Sequence, residues 1–189
     1  MHVEYLCASR PPRRSDNDVA LNAAAAYIEG QFQASGGRVS LQEYLARGHR
    51  YKNVVASFGP EAGNALIIGA HYDVFGELPG ADDNASGVAG IIELGCLLGQ
   101  TPPAVRVDLV AFSTEEPPFF GSTDMGSAVH ANALRAAGRP ISGMISVEMI
   151  GFYSDHQPWN NLLLDLLFPT TGDFVMVVGR WKDATLTRS

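Results

Sequence analysis

The chain has 189 residues, a length typical of one domain, and its 46% apolar and 17% charged residues are ordinary for a soluble globular protein. Its net charge of −7 argues against nucleic acid or an anionic membrane as a partner, because both attract basic surfaces. No apolar run approaches the roughly 20 residues of a membrane span, and residues 1–14 lack the apolar segment of a signal peptide. We therefore expect one globular domain over residues 1–189. These features do not indicate a cellular compartment.

A helix and a hairpin are predicted for the first third of the chain. Capping side chains precede apolar residues at helical spacing, and two glycines follow them. Two segments of alternating apolar residues come next, which is typical of antiparallel strands joined by a turn. These elements are a helix over 19–34 and strands over 38–46 and 51–58.

From residue 65, short apolar runs alternate with helical patterns. Runs that are almost wholly apolar are typical of strands covered on both faces of an α/β sheet. The predicted buried strands cover 65–70, 105–112 and 141–149, and the helices between them cover 86–98 and 122–137. After a polar loop, two further strands are predicted over 162–168 and 173–178. This order predicts an α/β fold, and the early hairpin makes its mainly parallel sheet a mixed one.

Side chains of the types that bind metals lie at or just beyond the ends of three of these strands. They are, in chain order, His71 with Asp73, Glu115 with Glu116, and Glu148. Ligands of an open α/β sheet collect where its parallel strands end, so these side chains should share one crevice with Asp83 from the loop after the first strand. Residues 71 and 73 point to the same side of a strand, so Asp73 can accept the second ring N–H of His71 and fix its tautomer.

One imidazole with several carboxylates is a donor set that suits zinc, and it can hold two ions about 3.5–4 Å apart. Neighbouring residues at a strand end point in different directions, so one glutamate of the pair 115–116 can bind metal while the other stays free as a general base. Each motif alone also fits a plain structural role, such as a helix cap at 82–84 or a solvated acidic pair. Their occurrence together, in this order, favours a metal site.

Four motifs carry a resemblance to a known family. They are GAHYD at 69–73, GADDNASGVAG at 80–90, STEE at 113–116 and VEMIG at 147–151. In order and spacing they resemble the co-catalytic di-zinc aminopeptidases typified by bacterial leucyl aminopeptidase, which are related to glutamate carboxypeptidase and glutaminyl cyclase. The resemblance implies a three-layer zinc-exopeptidase-like fold with helices on both faces of the sheet. It also implies zinc as the cofactor and a peptide as the substrate, in a family that is often secreted.

The resemblance also implies a role for each side chain of the site. His71 and Glu148 bind one zinc, Glu116 binds the other, and Asp83 bridges the two, whereas the neighbouring Asp82 is not a ligand. Glu115 is the general base and Asp73 supports His71. The peptide bond between residues 83 and 84 is expected to be cis.

The function that follows from this resemblance is a zinc-dependent aminopeptidase, which hydrolyses the N-terminal residue of a peptide with a metal-activated water and Glu115 as the base. Two alternatives stay open. One is a glutaminyl cyclase-like acyltransferase, which uses a single zinc. The other is a non-catalytic metal-binding fragment, because the last histidine ligand of the family is absent.

That absent histidine would complete the zinc held by Glu116. His156 lies only eight residues after Glu148, where relatives have an ordinary loop, so it is a weak candidate for this ligand. We therefore expect one well-occupied zinc at His71, Asp83 and Glu148. The second position should be empty, weakly filled, or completed by His156 or a neighbouring subunit. The chain is also expected to lack the C-terminal part of the domain, and the face left open should favour homo-oligomers.

Overall fold

The computed structural model of the protein describes residues 1–158 and 160–180. Contacts between Cα atoms divide the chain into two compact units, Met1–Met149 and Ile150–Ser189. A single domain over residues 1–189 stays a prediction. Among the described residues, no helix is both long and apolar enough to cross a membrane.

The first unit contains four helices and five strands. The helices are α1 (His2–Cys7), α2 (Asp18–Ala34), α3 (Gly87–Gln100) and α4 (Gly126–Ala136). The strands are β1 (Arg38–Ala46), β2 (His49–Phe58), β3 (Ala65–His71), β4 (Arg106–Phe112) and β5 (Ile141–Ser146). An irregular helical turn, Ala81–Ser86, leads into α3.

The five strands form one sheet in the order β1-β2-β4-β3-β5. Strand β2 pairs antiparallel with both β1 and β4, whereas β3 pairs in parallel with both β4 and β5. Four strands therefore run in one direction and only β2 opposes them. The prediction of a mixed, mainly parallel sheet is confirmed.

Helices cover both faces of this sheet. Successive residues of β2 alternate between faces, so Val54 and Ala56 join the core under α2 and α3, whereas Val55 joins a smaller core that contacts Leu134 of α4. Ile28 and Phe32 of α2 are fully buried, and burying a side chain of this size contributes about 1.5–3 kcal/mol. The expected three layers are therefore confirmed.

Strand β5 differs from its prediction as a buried strand over 141–149. It ends at Ser146, and the side chains of Ile141, Met144 and Ile145 are 47%, 43% and 45% exposed. Strand β5 is the last strand of the sheet order and pairs with β3 on one side only. An apolar run indicates that a strand can be buried, but its neighbours in space decide whether it is. The expected self-association stays a prediction.

Helix α4 begins at Gly126 rather than near residue 122. Backbone hydrogen bonds instead fold the preceding segment into turns, with Phe119 N donating to Glu116 O and Ser122 N donating to Phe119 O. Helix α1 was not predicted, because six residues are too few for a helical stripe to stand out.

In the second unit, residues 162–168 were predicted to be a strand. The structure has a short helix there, α5 (Leu162–Leu167), whose first backbone amides donate to the Asn161 side chain. A run of leucines is apolar in either conformation, and leucine favours a helix once a cap is present. The strand predicted over 173–178 is also wrong, because those residues have no regular secondary structure.

Candidate metal centre

The predicted ligands come together because three parallel strands end at the same edge of the sheet. His71 is the last residue of β3 and pairs with Phe112, the last residue of β4. Gly69 pairs with Ser146, the last residue of β5. The segments that follow β4 and β5 therefore emerge beside the His71 side chain.

The His71 imidazole faces a group of carboxylates through Nε2. This atom lies 3.1 Å from Asp83 Oδ1, 3.4 Å from Glu148 Oε1 and 3.9 Å from Glu115 Oε2. Two sets of possible metal-binding atoms result, each with its atoms within 4.8 Å of one another: His71 with Asp83 and Glu148, and His71 with Glu115 and Glu116. The structure thus brings together every predicted ligand, and the role of each stays a prediction.

Asp73 contacts the opposite side of the imidazole. His71 Nδ1 lies 3.2 Å from the Asp73 carbonyl oxygen and 3.4 Å from its Oδ1. The two carboxylate oxygens also accept hydrogen bonds from the backbone N–H groups of Glu115 and Glu116, each at 3.0 Å. Asp73 is fully buried. Asp73 therefore contacts the imidazole through both its carbonyl oxygen and its carboxylate, and the carboxylate also holds the turn that carries both glutamates.

The loop with Asp83 is held to the segment with Glu148 by Asn84. Asn84 Nδ2 donates to Val147 O at 2.8 Å and to Glu148 Oε2 at 3.2 Å, and its Oδ1 accepts from Met149 N at 3.3 Å. The peptide bond between Asp83 and Asn84 is cis, as expected. The sequence placed Asn84 in a turn and in this cis bond, but its contacts with the segment after β5 were not predicted.

Arg13 is a residue of the site that sequence reasoning missed. Its guanidinium is buried and donates to four backbone carbonyls, those of Leu6, Tyr72, Pro79 and Gly80, at 2.7–2.9 Å. Tyr72 lies between His71 and Asp73, and the two later carbonyls lie just before the loop with Asp83. Burial lowers the pKa of Arg13, although nearby Cys7, Asp73 and Asp83 raise it in part. Nothing in the local sequence distinguishes Arg13 from the other arginines near it.

The electrostatics of the cluster favour a bound cation. Burial raises the pKa of Glu116 to about 7, and the negative charge of Asp83 adds to this effect. Burial also raises the pKa of Glu115. Burial alone would lower the pKa of His71, but the carboxylates of Asp73 and Glu148 raise it to about 11. Such a concentration of acidic groups is stabilised by positive charge, and one imidazole with carboxylates is a donor set that fits zinc.

Two other residues considered from the sequence lie outside these sets. Asp82 accepts a hydrogen bond from Ser86 Oγ through its backbone carbonyl, at 2.7 Å. His156 lies in the second unit, where its side chain is exposed. A role for His156 in metal binding stays a prediction.

The sequence pattern of peptidase family M28 matches residues 53–167, more than half of the chain, and this range includes all the predicted metal ligands. The chain belongs to peptidase family M28. The family resemblance that the four motifs indicate is thereby confirmed.

Two similar proteins show how much of a relative's length the chain covers. The uncharacterized protein YfbL of Escherichia coli (strain K12) is 47% identical over 197 residues, which cover 98% of this chain and 60% of that protein. Leucine aminopeptidase 1 of Arthroderma otae is 27% identical over 148 residues, which cover 68% of this chain and 38% of that protein. The chain thus spans less than two thirds of the length of either relative.

Solved structures confirm the predicted zinc-exopeptidase-like fold. A Zn-dependent exopeptidase from Parabacteroides distasonis is 24% identical with a TM-score of 0.67, and the match covers 82% of this chain and 61% of that one. A glutaminyl cyclase from Porphyromonas gingivalis is 25% identical with a TM-score of 0.68, and the match covers 79% of this chain and 57% of that one. The first of these likenesses concerns the fold alone.

Proposed function

We propose that this M28 chain acts as a zinc-dependent aminopeptidase, which removes the N-terminal residue of a peptide. The observation that carries the proposal is that two potential ligand sets share His71, whose Nε2 lies 3.9 Å from Glu115 Oε2. The family and the similarity to leucine aminopeptidase 1 of Arthroderma otae support the choice of reaction.

In this proposal His71, Asp83 and Glu148 hold one zinc with three protein ligands, the number found in catalytic zinc sites. A second and weaker zinc would use Glu116 together with Asp83. When bound, zinc supplies a Lewis acid that polarises the scissile carbonyl and makes water a better nucleophile. The protein contributes the position of the ligands, because Asp73 and Asn84 tie the three strand ends together.

Glu115 is the proposed general base. It takes a proton from the attacking water and returns this proton to the leaving amine, so the peptide C–N bond breaks without release of a free amide anion. Burial raises the pKa of Glu115 above that of a free glutamate, and a raised pKa makes a carboxylate a stronger base. Its backbone N–H is fixed by Asp73, which keeps the carboxylate beside the cluster.

The variant Glu115→Gln tests this role, because glutamine has a similar shape and cannot accept the proton. We expect turnover of amino-acyl chromogenic amides to fall about 10²–10⁴-fold, while the zinc content stays unchanged. Glu61→Gln is the control, since Glu61 is exposed near the opposite end of the sheet. Turnover that survives both Glu115→Gln and strong chelation would rule out the proposal.

A second candidate is a glutaminyl cyclase-like acyltransferase, which would need only the set His71, Asp83 and Glu148. The likeness to the Porphyromonas gingivalis glutaminyl cyclase favours it. Conversion of a peptide with N-terminal glutamine to its pyroglutamyl form, without hydrolysis of other peptides, would select this candidate. Bound zinc with neither reaction would select a non-catalytic metal-binding fragment.

A further inference from the structure

A cavity of about 440 Å³ lies beside the candidate metal centre and contains none of its predicted ligands. Its walls include Val74 and Pro117, the residues that directly follow Asp73 and Glu116. The other wall comes from the turn between β1 and β2 and from the segment before α2. This volume lies within the range of small-ligand sites, so part of a peptide bound at the centre fits there.

Arg47 is held at this cavity by the turn that begins at Glu116. Its Nη2 donates to Pro118 O at 2.9 Å, and its guanidinium carbon lies 4.8 Å from the centroid of the Phe119 ring. Phe119 N in turn donates to Glu116 O at 2.9 Å. Pro118 is two residues after Glu116, a chain distance of at most about 7 Å. The cation therefore contacts the turn that begins at Glu116, and these two contacts define its orientation.

Arg47 differs from the other basic residues of the cavity in its lack of an acidic partner among the described residues. Arg14 pairs with Asp16 and Glu77, and His49 lies 3.1 Å from Asp18. Within residues 1–158 and 160–180, Arg47 has no carboxylate partner and uses one of its five N–H donors. An oriented guanidinium with free donors matches the two oxygens of a carboxylate.

We propose that this cavity binds a carboxylate of the peptide substrate and that Arg47 is the residue that selects for it. This inference rests on the proposed peptidase function. The carboxylate comes either from the C-terminus of a short peptide or from an acidic side chain. The chain carries a net charge of −7. Against this background, the unpaired cation of Arg47 would attract a negatively charged peptide to the cavity.

The test compares three peptides of equal length: one with a free C-terminal carboxylate, its C-terminal amide, and the amide with one glutamate side chain. We expect kcat/KM for at least one of the two acidic peptides to exceed that of the neutral amide by about tenfold. In Arg47→Gln this ratio should fall to about one, and in Arg47→Lys it should be intermediate. The acidic peptide that shows the effect identifies the source of the carboxylate.

Arg50→Gln is the matched control, because Arg50 follows the same turn but pairs with Glu43 and does not line the cavity. It should keep the wild-type preference, and thermal melting of every variant checks the fold. Equal kcat/KM for all three peptides, or a preference that persists in Arg47→Gln, would overturn the assignment.

Equilibrium binding of the same peptides to Glu115→Gln separates this inference from the proposed function. If the wild-type protein hydrolyses none of the peptides, the peptidase proposal fails, and the affinity ratio of acidic to neutral peptide still reports on Arg47. A ratio near one in Glu115→Gln, with Arg47 intact, would also overturn the carboxylate site.

Discussion

The two ends of the sheet differ in how their acidic side chains are paired. At the end where β4 begins, Asp108 is buried and pairs with Arg106, whose Nε lies 3.0 Å from Asp108 Oδ1. At the end where β3 and β4 finish, several carboxylates surround the single imidazole of His71. The nearby Arg13 donates all its described hydrogen bonds to backbone carbonyls rather than to an acid.

The end with Asp108 therefore has a structural ion pair, whereas the end with His71 has the charges of a ligand-binding site. The charges of Arg106 and Asp108 satisfy each other within the fold, so neither needs an added ion. The carboxylates at the other end outnumber the basic groups that face them. Burial, with the charge of Asp83, raises the pKa of Glu116, and the carboxylates of Asp73 and Glu148 raise the pKa of His71 although burial alone would lower it. A bound cation is the natural complement of that end only.

The largest effect is expected from Asp73→Ala, which removes the acid that joins His71 to the turn of the two glutamates. Two backbone N–H groups lose their partner, at a cost of about 1–3 kcal/mol each, and the imidazole keeps its hydrogen bond to the carbonyl of residue 73 but loses the carboxylate beside it. We expect zinc affinity to fall at least about 10–100-fold, measured by competition with a chromophoric chelator.

Asp108→Ala is the matched control at the other end of the sheet. It also leaves a partly buried partner, Arg106, without its carboxylate, so it should lower the free energy of unfolding in urea. Its zinc affinity should equal that of the wild type. An equal loss of zinc affinity in both variants would mean that general destabilisation, and not the contacts of Asp73, causes the effect.

A smaller effect on the metal is expected from Arg13→Met, which leaves four carbonyl groups without their donor. The free energy of unfolding should fall by at least about 3 kcal/mol, since hydrogen bonds to a charged group contribute about 1.5–3 kcal/mol each. Zinc should bind about tenfold more weakly, because the end of β3 and the loop before Asp83 lose a common anchor. Arg106→Met should lower stability and leave zinc affinity unchanged, and the reverse result would contradict this role for Arg13.

Much of this arrangement is local enough to be predicted from the sequence. The apolar runs of β3 and β4 identify the strands, and the side chains that follow each run are read directly from the chain. Parallel strands then place those side chains at one edge of the sheet without further information. The general position of His71 and Glu115 follows from these two steps.

What could not be predicted depends on contacts between distant residues. Arg13 donates hydrogen bonds to carbonyls 59–67 residues away in sequence, and no short sequence pattern predicts such a contact. The exposure of Ile145 depends on the place of β5 in the sheet order rather than on its own composition. The mostly apolar run 162–167 fits a helix as well as a strand, and only the cap at Asn161 favours the helix.

The smallest expected effect is on the pH dependence of stability. It involves His130 of α4, a buried histidine away from the metal centre. Its Nδ1 lies 3.0 Å from Gln42 Oε1, and burial lowers its pKa, although nearby Asp108 raises it in part. Above about pH 6.5 the histidine is neutral in both folded and unfolded chains, so it adds no pH dependence. Below that pH only the unfolded chain binds the proton, so stability falls as pH drops towards the lower folded pKa.

His130→Gln should remove this contribution. Urea unfolding between about pH 6.5 and 5 should show a slope difference from the wild type of at most about 1.4 kcal/mol per pH unit. His49→Gln is a suitable control, because His49 is partly exposed on the hairpin. A wild-type slope that is unchanged in His130→Gln would show that the buried imidazole does not titrate differently on folding.

We expect His71, Asp83 and Glu148 to form one tight zinc site at the carboxyl edge of the sheet. The most direct test is calorimetric titration of zinc into metal-free, monomeric His156→Ala protein, with and without the further change Glu148→Ala. We expect one tight site per chain and a second that is much weaker, and the tight site should disappear with Glu148→Ala. Two equally tight sites, or a tight site that survives the loss of Glu148, would contradict this assignment.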